Sequence, residues 1–198
     1  MSAQQQNEQD KSSRRRSCIL NAVKEALFEY DYNKLTIEDV ATRAGVGKST
    51  IYRWWTHKSD LVFELFKDET AAVFELDFSH SLAQNLEQQL LKLSEVLERP
   101  IGRALLVVMV ENREKAAQYF KEYLLPRRRQ TRLLIQHAIA RQEIRADYPF
   151  ELMLDSLYAP IHYQTIFFNQ CPQPDYIRAL IKMVLAPVLL QQPQQQEA

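Results

Sequence analysis

Apolar residues recur at three- and four-residue steps along most of this chain, the spacing that places them on one face of a helix. From Ser13 onward Cys18, Ile19, Ala22, Val23, Ala26 and Leu27 form one such stripe, in a helix whose first turn carries Arg14 to Arg16. Ile37, Val40, Ala41 and Ala44 form a second stripe and predict a helix of only about two turns. Thr36 stands where a cap is needed, with Asp39 three residues on, and Gly45 stands where a left-handed residue ends a helix. Val46 then plugs the core, and a second short helix is predicted from Lys48 to Trp55, with Ile51 and Trp55 facing inward. Two short helices across so tight a turn predict a steep crossing.

Beyond Lys58 the pattern stays helical through Leu61, Leu65 and Phe66, then Leu82–Leu97, Ile101–Val110, Tyr119–Ile144, Phe150–Phe168 and Tyr176–Leu190. Pro100, Pro126, Pro149 and Pro174 mark starts or kinks. With 3 Gly in 198 residues and little alternation of β-branched with polar residues, hairpins have little to form from. The expected fold class is all-α. The Gln-rich ends, residues 1–11 and 191–198, are expected to be disordered.

Charge changes the picture locally. Lys and Arg total 25, as do Asp and Glu, yet ten bases and seven acids precede Ser59. The interval from Val40 to Ser59 holds Arg43, Lys48, Arg53 and Lys58 and no acid, the local excess that phosphate binding requires. No apolar run reaches the roughly 18 residues of a membrane span, and no secretory leader is evident, so a cytoplasmic protein is expected. Cys18 and Cys171 are read as two separate thiols, and no metal or cofactor is expected.

The run LTIEDVATRAGVGKSTIYRWWTHKSDL, Leu35 to Leu61, resembles the DNA-binding part of the TetR (tetracycline repressor) family. The likeness rests on Ala41 and Gly45, on K-S-T-I-Y at Lys48 to Tyr52, and on Lys58 followed by Leu61; it spans roughly residues 13 to 66. A looser likeness to TetR ligand domains covers Pro126 to Phe167. The resemblance implies a three-helix DNA-binding domain at residues 12–58, then a helical ligand-binding and dimerisation domain at 59–190. It implies a regulator, expected to be a repressor, that binds double-stranded DNA at a pseudo-palindromic operator as a homodimer and answers to a small-molecule effector.

Residue chemistry agrees. Ser49, Thr50 and above all Arg53 suit base edges; Lys48 and Tyr52, with Thr36 at the supporting helix, suit phosphate; Lys58 is assigned to phosphate by the resemblance. Trp54 is expected on a base or, being bulky, on a sugar or a neighbouring side chain, and His57 completes the predicted DNA surface. The resemblance places the dimer interface on the last two helices, with Leu154, Leu157, Ile161, Thr165 and Phe168 on one and Tyr176, Leu180, Met183, Val184 and Pro187 on the other. The aromatic set Phe74, Tyr119, Phe120, Tyr123, Tyr158, His162, Tyr163 and Phe167 offers an apolar cavity with polar handles, and Met109, Arg113, Tyr123, Tyr158 and His162 are expected to border the effector.

A nucleotide-binding enzyme is the rival reading, because Gly47, Lys48 and Ser49 imitate the end of a phosphate-binding loop. It fails on Thr42, which stands where the first glycine must be, and on the helical spacing before it. No catalytic constellation stands out, since His57, His80, His137 and His162 lack metal-ligand spacing.

Overall fold

The computed structural model describes residues 3–71 and 76–190. Among these every regular element is helical: α1 (Ala3–Glu29), a 3-10 turn (Tyr32–Lys34), α2 (Ile37–Arg43), α3 (Lys48–Tyr52), α4 (Lys58–Thr70), α5 (Leu82–Glu98), α6 (Pro100–Glu111), α7 (Arg113–Tyr119), a π-helical turn (Phe120–Leu124), α8 (Leu125–Ala140), α9 (Phe150–Phe168) and α10 (Pro174–Leu185). An isolated antiparallel bridge joins Ile144 to Leu189. Pro100 and Pro174 open α6 and α10, Pro126 lies in the first turn of α8, and Pro149 precedes α9, positions where a missing N–H costs nothing.

The elements divide into two compact units, one of α1–α4, α6 and α7 and the other of α5 and α8–α10. This differs from a second domain opening at residue 59. Leu61, Val62, Phe63, Leu65 and Phe66 bury so much of α4 that it packs on both α1 and α6, and α6 packs in turn on α1 and α7. Spacing identifies which residues are buried but not which helix covers them.

Two further expectations differ. The helix that was to start near Ser13 begins at Ala3, although Gln6 to Arg15 are exposed all round. Gln, Glu, Lys and Arg are good helix formers, and extending a helix already nucleated over Ile19–Leu27 costs little. The span Tyr119–Ile144 is not one helix, for α7 starts earlier, where Asn112 Oδ1 accepts the Lys115 N–H at 3.0 Å, and a π turn precedes α8. Pro126 supplies the reason, since it can neither donate to nor tolerate the regular ladder of the preceding turn. Residues 191–198 and Phe74 lie outside the described residues.

Candidate nucleic-acid interface

Local chemistry sets the angle between α2 and α3. Thr36 Oγ1 accepts the Asp39 N–H at 3.1 Å and opens α2. Gly45 closes it at φ +62°, with its own N–H donating to the Thr42 carbonyl and the Val46 N–H donating to the Ala41 carbonyl. That pair of reversed bonds is the Schellman ending, and an L side chain at Gly45 would be strained although nothing crowds it. Asp39 does not complete a capping box. Its carboxylate accepts from the Tyr30 hydroxyl and from Arg43 Nε at 2.8 Å, tying the end of α1 to α2.

In α3, Ile51 is fully buried, and just beyond it Trp55 is buried too. Lys48, Ser49, Tyr52 and Arg53 form the exposed side, with Tyr52 at 52% exposure. A five-residue helix cannot hold itself, so these two inward anchors fix the face it presents. Thr50 and Trp54 are half-buried, and the Trp54 ring meets the Trp55 ring edge-on at 5.5 Å. Thr36 and His57 are exposed. The Gly47–Ser49 run is preceded by α2 and not by a strand, which removes the nucleotide-loop reading.

The bases between Val40 and Ser59 are less free than the sequence implies. Arg43 donates to both Glu29 carboxylate oxygens at 2.8 and 2.7 Å as well as to Asp39. Lys48 Nζ lies 2.8 Å from Glu38 Oε1. This contact holds the Glu38 carboxyl below its usual range and the Lys48 ammonium above its own. Lys58 directs its ammonium at three backbone carbonyls, of Tyr32, Asn33 and Leu35, at 3.0, 3.3 and 3.1 Å, and lies 4.4 Å from the centre of the Tyr32 ring. These three bonds use all its donors in closing the 3-10 turn, so a phosphate contact by Lys58 would have to displace one of them. Arg53 has no such partner among the described residues.

Behind this surface α7 meets the start of α4. Asp60 accepts the His57 backbone N–H at 2.8 Å with one oxygen and the Lys115 ammonium with the other. The Tyr119 ring stands edge-on to Phe63 and Phe66 at 5.8 and 6.1 Å. No spacing rule could have found Lys115, because its partner lies 55 residues away.

The predicted dimer residues separate by exposure. Leu154, Leu157, Ile161, Thr165 and Leu180 are buried within the chain. Phe168, Tyr176, Met183 and Pro187 are exposed and Val184 half-buried. Leu152 and Ile166, which the sequence reading missed, are also exposed, as are Tyr163 and Phe167, which it set around a cavity, Phe167 at 72%. Helix α9 is apolar on both sides, so its periodicity could not say which side was the chain's own core.

Of the predicted effector residues, half-buried Met109 and exposed Arg113 fall in the unit of α1–α4, and the other three in the unit of α8–α10. There Tyr123 is buried, with Arg127 stacked 3.4 Å from its ring centre. The Tyr158 hydroxyl donates to Gln89 Oε1 at 2.7 Å, and burial pushes it up to about 12. His162 Nδ1 lies 2.9 Å from the Tyr158 carbonyl, which can only accept, so Nδ1 bears the proton and Nε2 is an acceptor. Burial lowers the His162 pKa and keeps the ring neutral. Arg128 and Arg132 are held by Glu151, and Arg128 also by Asp155.

A family model described as "Bacterial regulatory proteins, tetR family" matches residues 19–65, and one described as "Tetracyclin repressor-like, C-terminal domain" matches residues 79–184. The chain is 26% identical over 166 residues to the HTH-type transcriptional regulator YdeS of Bacillus subtilis, covering 82% of this chain and 84% of YdeS. It is 28% identical over 183 residues to the HTH-type regulator Mb1581 of Mycobacterium bovis, covering 89% of each. Its fold is similar to that of the TetR family transcription regulator SCO0332, with TM-score 0.71 and 24% identity over 89% of this chain and 99% of that one.

Proposed function

The chain belongs to the tetR family of bacterial regulators and is a helix-turn-helix transcriptional regulator that binds DNA; from this premise we propose that it is a cytoplasmic, homodimeric repressor that a small molecule releases from a pseudo-palindromic operator. The exposed face of α3 carries this reading. Ser49, Thr50 and Arg53 read base edges, Arg53 foremost because, of the four bases between Val40 and Ser59, it alone has no partner among the described residues. Tyr52, the Thr36 hydroxyl and Lys48 meet phosphates, Lys48 by exchanging Glu38 for DNA, while Trp54 and His57 border the groove.

One such head is too small for a specific site, so two act a helical turn of DNA apart. The exposed apolar side of α9 and α10, from Leu152 through Tyr163 and Phe167 to Tyr176 and Met183, is the surface that joins them. The effector is apolar or amphipathic and engages the unit of α8–α10, where Tyr123, Tyr158 and His162 supply polar handles in an apolar interior. A coupling of about 1 to 3 kcal/mol would change operator affinity roughly 5- to 150-fold.

Selection from a random pool of duplexes tests the reading. The wild type should enrich two inverted half-sites about 10 base pairs apart centre to centre, and Arg53→Ala should relax preference within each. A wild-type pool no different from the input would refute the operator. An effector binding equally with and without operator would refute the release step.

A further inference from the structure

We infer that the N-terminal part of α1 is a second DNA-contacting element, which lays Lys11, Arg14 and Arg15 on phosphates flanking those met by α3. The inference rests on the regulator reading and adds a surface to it.

Direction comes from one contact. Cys18 Sγ lies 3.6 Å from the carbonyl oxygen of Ala44, in the turn that leads into α3. That contact fixes which side of α1 faces the reading head. At about 100° per residue, Lys11 lies about 20° from Cys18, Arg14 about 40° and Arg15 about 60° around the helix. All three therefore share the side that looks along the turn, and at about 1.5 Å per residue they extend from roughly 4 to 10 Å beyond Cys18. Arg16 provides the check. It falls about 160° away, and its guanidinium does turn to the other side, onto Glu64 and Asp68 of α4.

Commitment separates these cations as well. Arg16, Lys24 and Arg43 are each paired with a carboxylate of the same unit. Lys11, Arg14 and Arg15 are exposed and have no partner among the described residues. Glu8 and Asp10 lie about 80° to either side of the Cys18 line and edge the stripe without interrupting it. The matched DNA-binding family model begins at residue 19, so the stripe precedes the part of the chain that the family accounts for. Polyanionic duplex is the occupant that fits, because the stripe runs out from the turn of a head that already binds DNA.

Fluorescence anisotropy against salt, on a selected operator and a scrambled duplex, tests this with the full chain. In Lys11→Gln/Arg14→Gln/Arg15→Gln, affinity for both duplexes should fall together. Each lost phosphate contact is worth about 0.9 in the slope of log K against log salt, so losing three per protomer of a dimer should flatten it by about 5. Hydroxyl-radical protection should shrink at the outer edges of the half-sites. Arg16→Gln, an equal loss of charge per residue on the opposite side, should leave the slope within about 1 of wild type. Arg53→Ala should lose preference for the operator with little change on the scrambled duplex. If the triple variant kept the wild-type slope and footprint while Arg53→Ala lost its preference, this inference would fall and the regulator reading would stand. If the wild type itself made no distinction between the duplexes, both would fall.

Discussion

Helix α3 and helix α9 solve opposite problems with the same geometry. In α3, two inward residues, Ile51 and Trp55, hold a five-residue helix whose outer side is polar. In α9, Leu154, Leu157 and Ile161 face the chain's own core while Leu152, Tyr163 and Phe167 lie bare on the outside. A surface meant for DNA can be wetted at no cost while it waits. An apolar one must be covered, and the proposed second copy covers it. The contrast also bears on charge, because Arg43, Lys48 and Lys58, three of the four bases between Val40 and Ser59, are satisfied internally before any phosphate arrives.

The hardest test of the contrast is to remove an inward anchor and an outward one. Ile51→Ala should destabilise the head by about 2 to 5 kcal/mol, read from urea or thermal unfolding, and abolish operator binding. Tyr163→Glu/Phe167→Glu should leave unfolding of the single chain nearly unchanged but shift sedimentation to a monomer. If that variant stayed dimeric, the outward side of α9 would lose its assignment.

A backbone test comes next. Gly45→Ala should cost about 1 to 2 kcal/mol, from the left-handed conformation alone. Lys115→Met should cost a comparable amount, roughly 1 to 2 kcal/mol after discounting for partial exposure of the pair, because Asp60 then holds the His57 N–H without its counter-ion. Its operator affinity should drop at unchanged salt slope, since the ammonium meets no phosphate, and Lys115→Arg should restore much of it.

Acid should act on the other unit. His162 is neutral and its folded pKa lies below the ordinary 6.5, so below that value the unfolded chain binds the extra proton. Stability should therefore decline as pH falls through 6.5 toward the folded value, and His162→Asn should flatten that part of the curve. The smallest effect is expected at Glu38→Gln. Lys48 then has no carboxylate to leave, so all duplexes should bind a few-fold tighter at a salt slope near that of the wild type. An unchanged affinity would mean that Lys48 stays off the phosphates.

What could be read from the sequence was what neighbours in the chain decide. Thr36, Gly45, the inward pair Ile51 and Trp55, and the prolines at helix starts all act within a few residues of themselves. What could not be read depends on partners brought in by folding. Arg43 looked free until Glu29 was placed beside it, and Lys58 until the carbonyls of Tyr32, Asn33 and Leu35 were. The two sides of α9 are equally apolar, so no pattern could tell core from outer surface. The π turn before Pro126 was hidden because it leaves the apolar spacing nearly intact.

The seat of Lys58 has a consequence for what evolution can accept there. An ammonium aims three hydrogens as a tripod, and the carbonyls of Tyr32, Asn33 and Leu35 stand as its three feet. A guanidinium is flat and would reach two of them at best. The site therefore selects for shape as well as charge, and arginine, the usual stand-in for lysine on a surface that meets nucleic acid, is the wrong key for this lock.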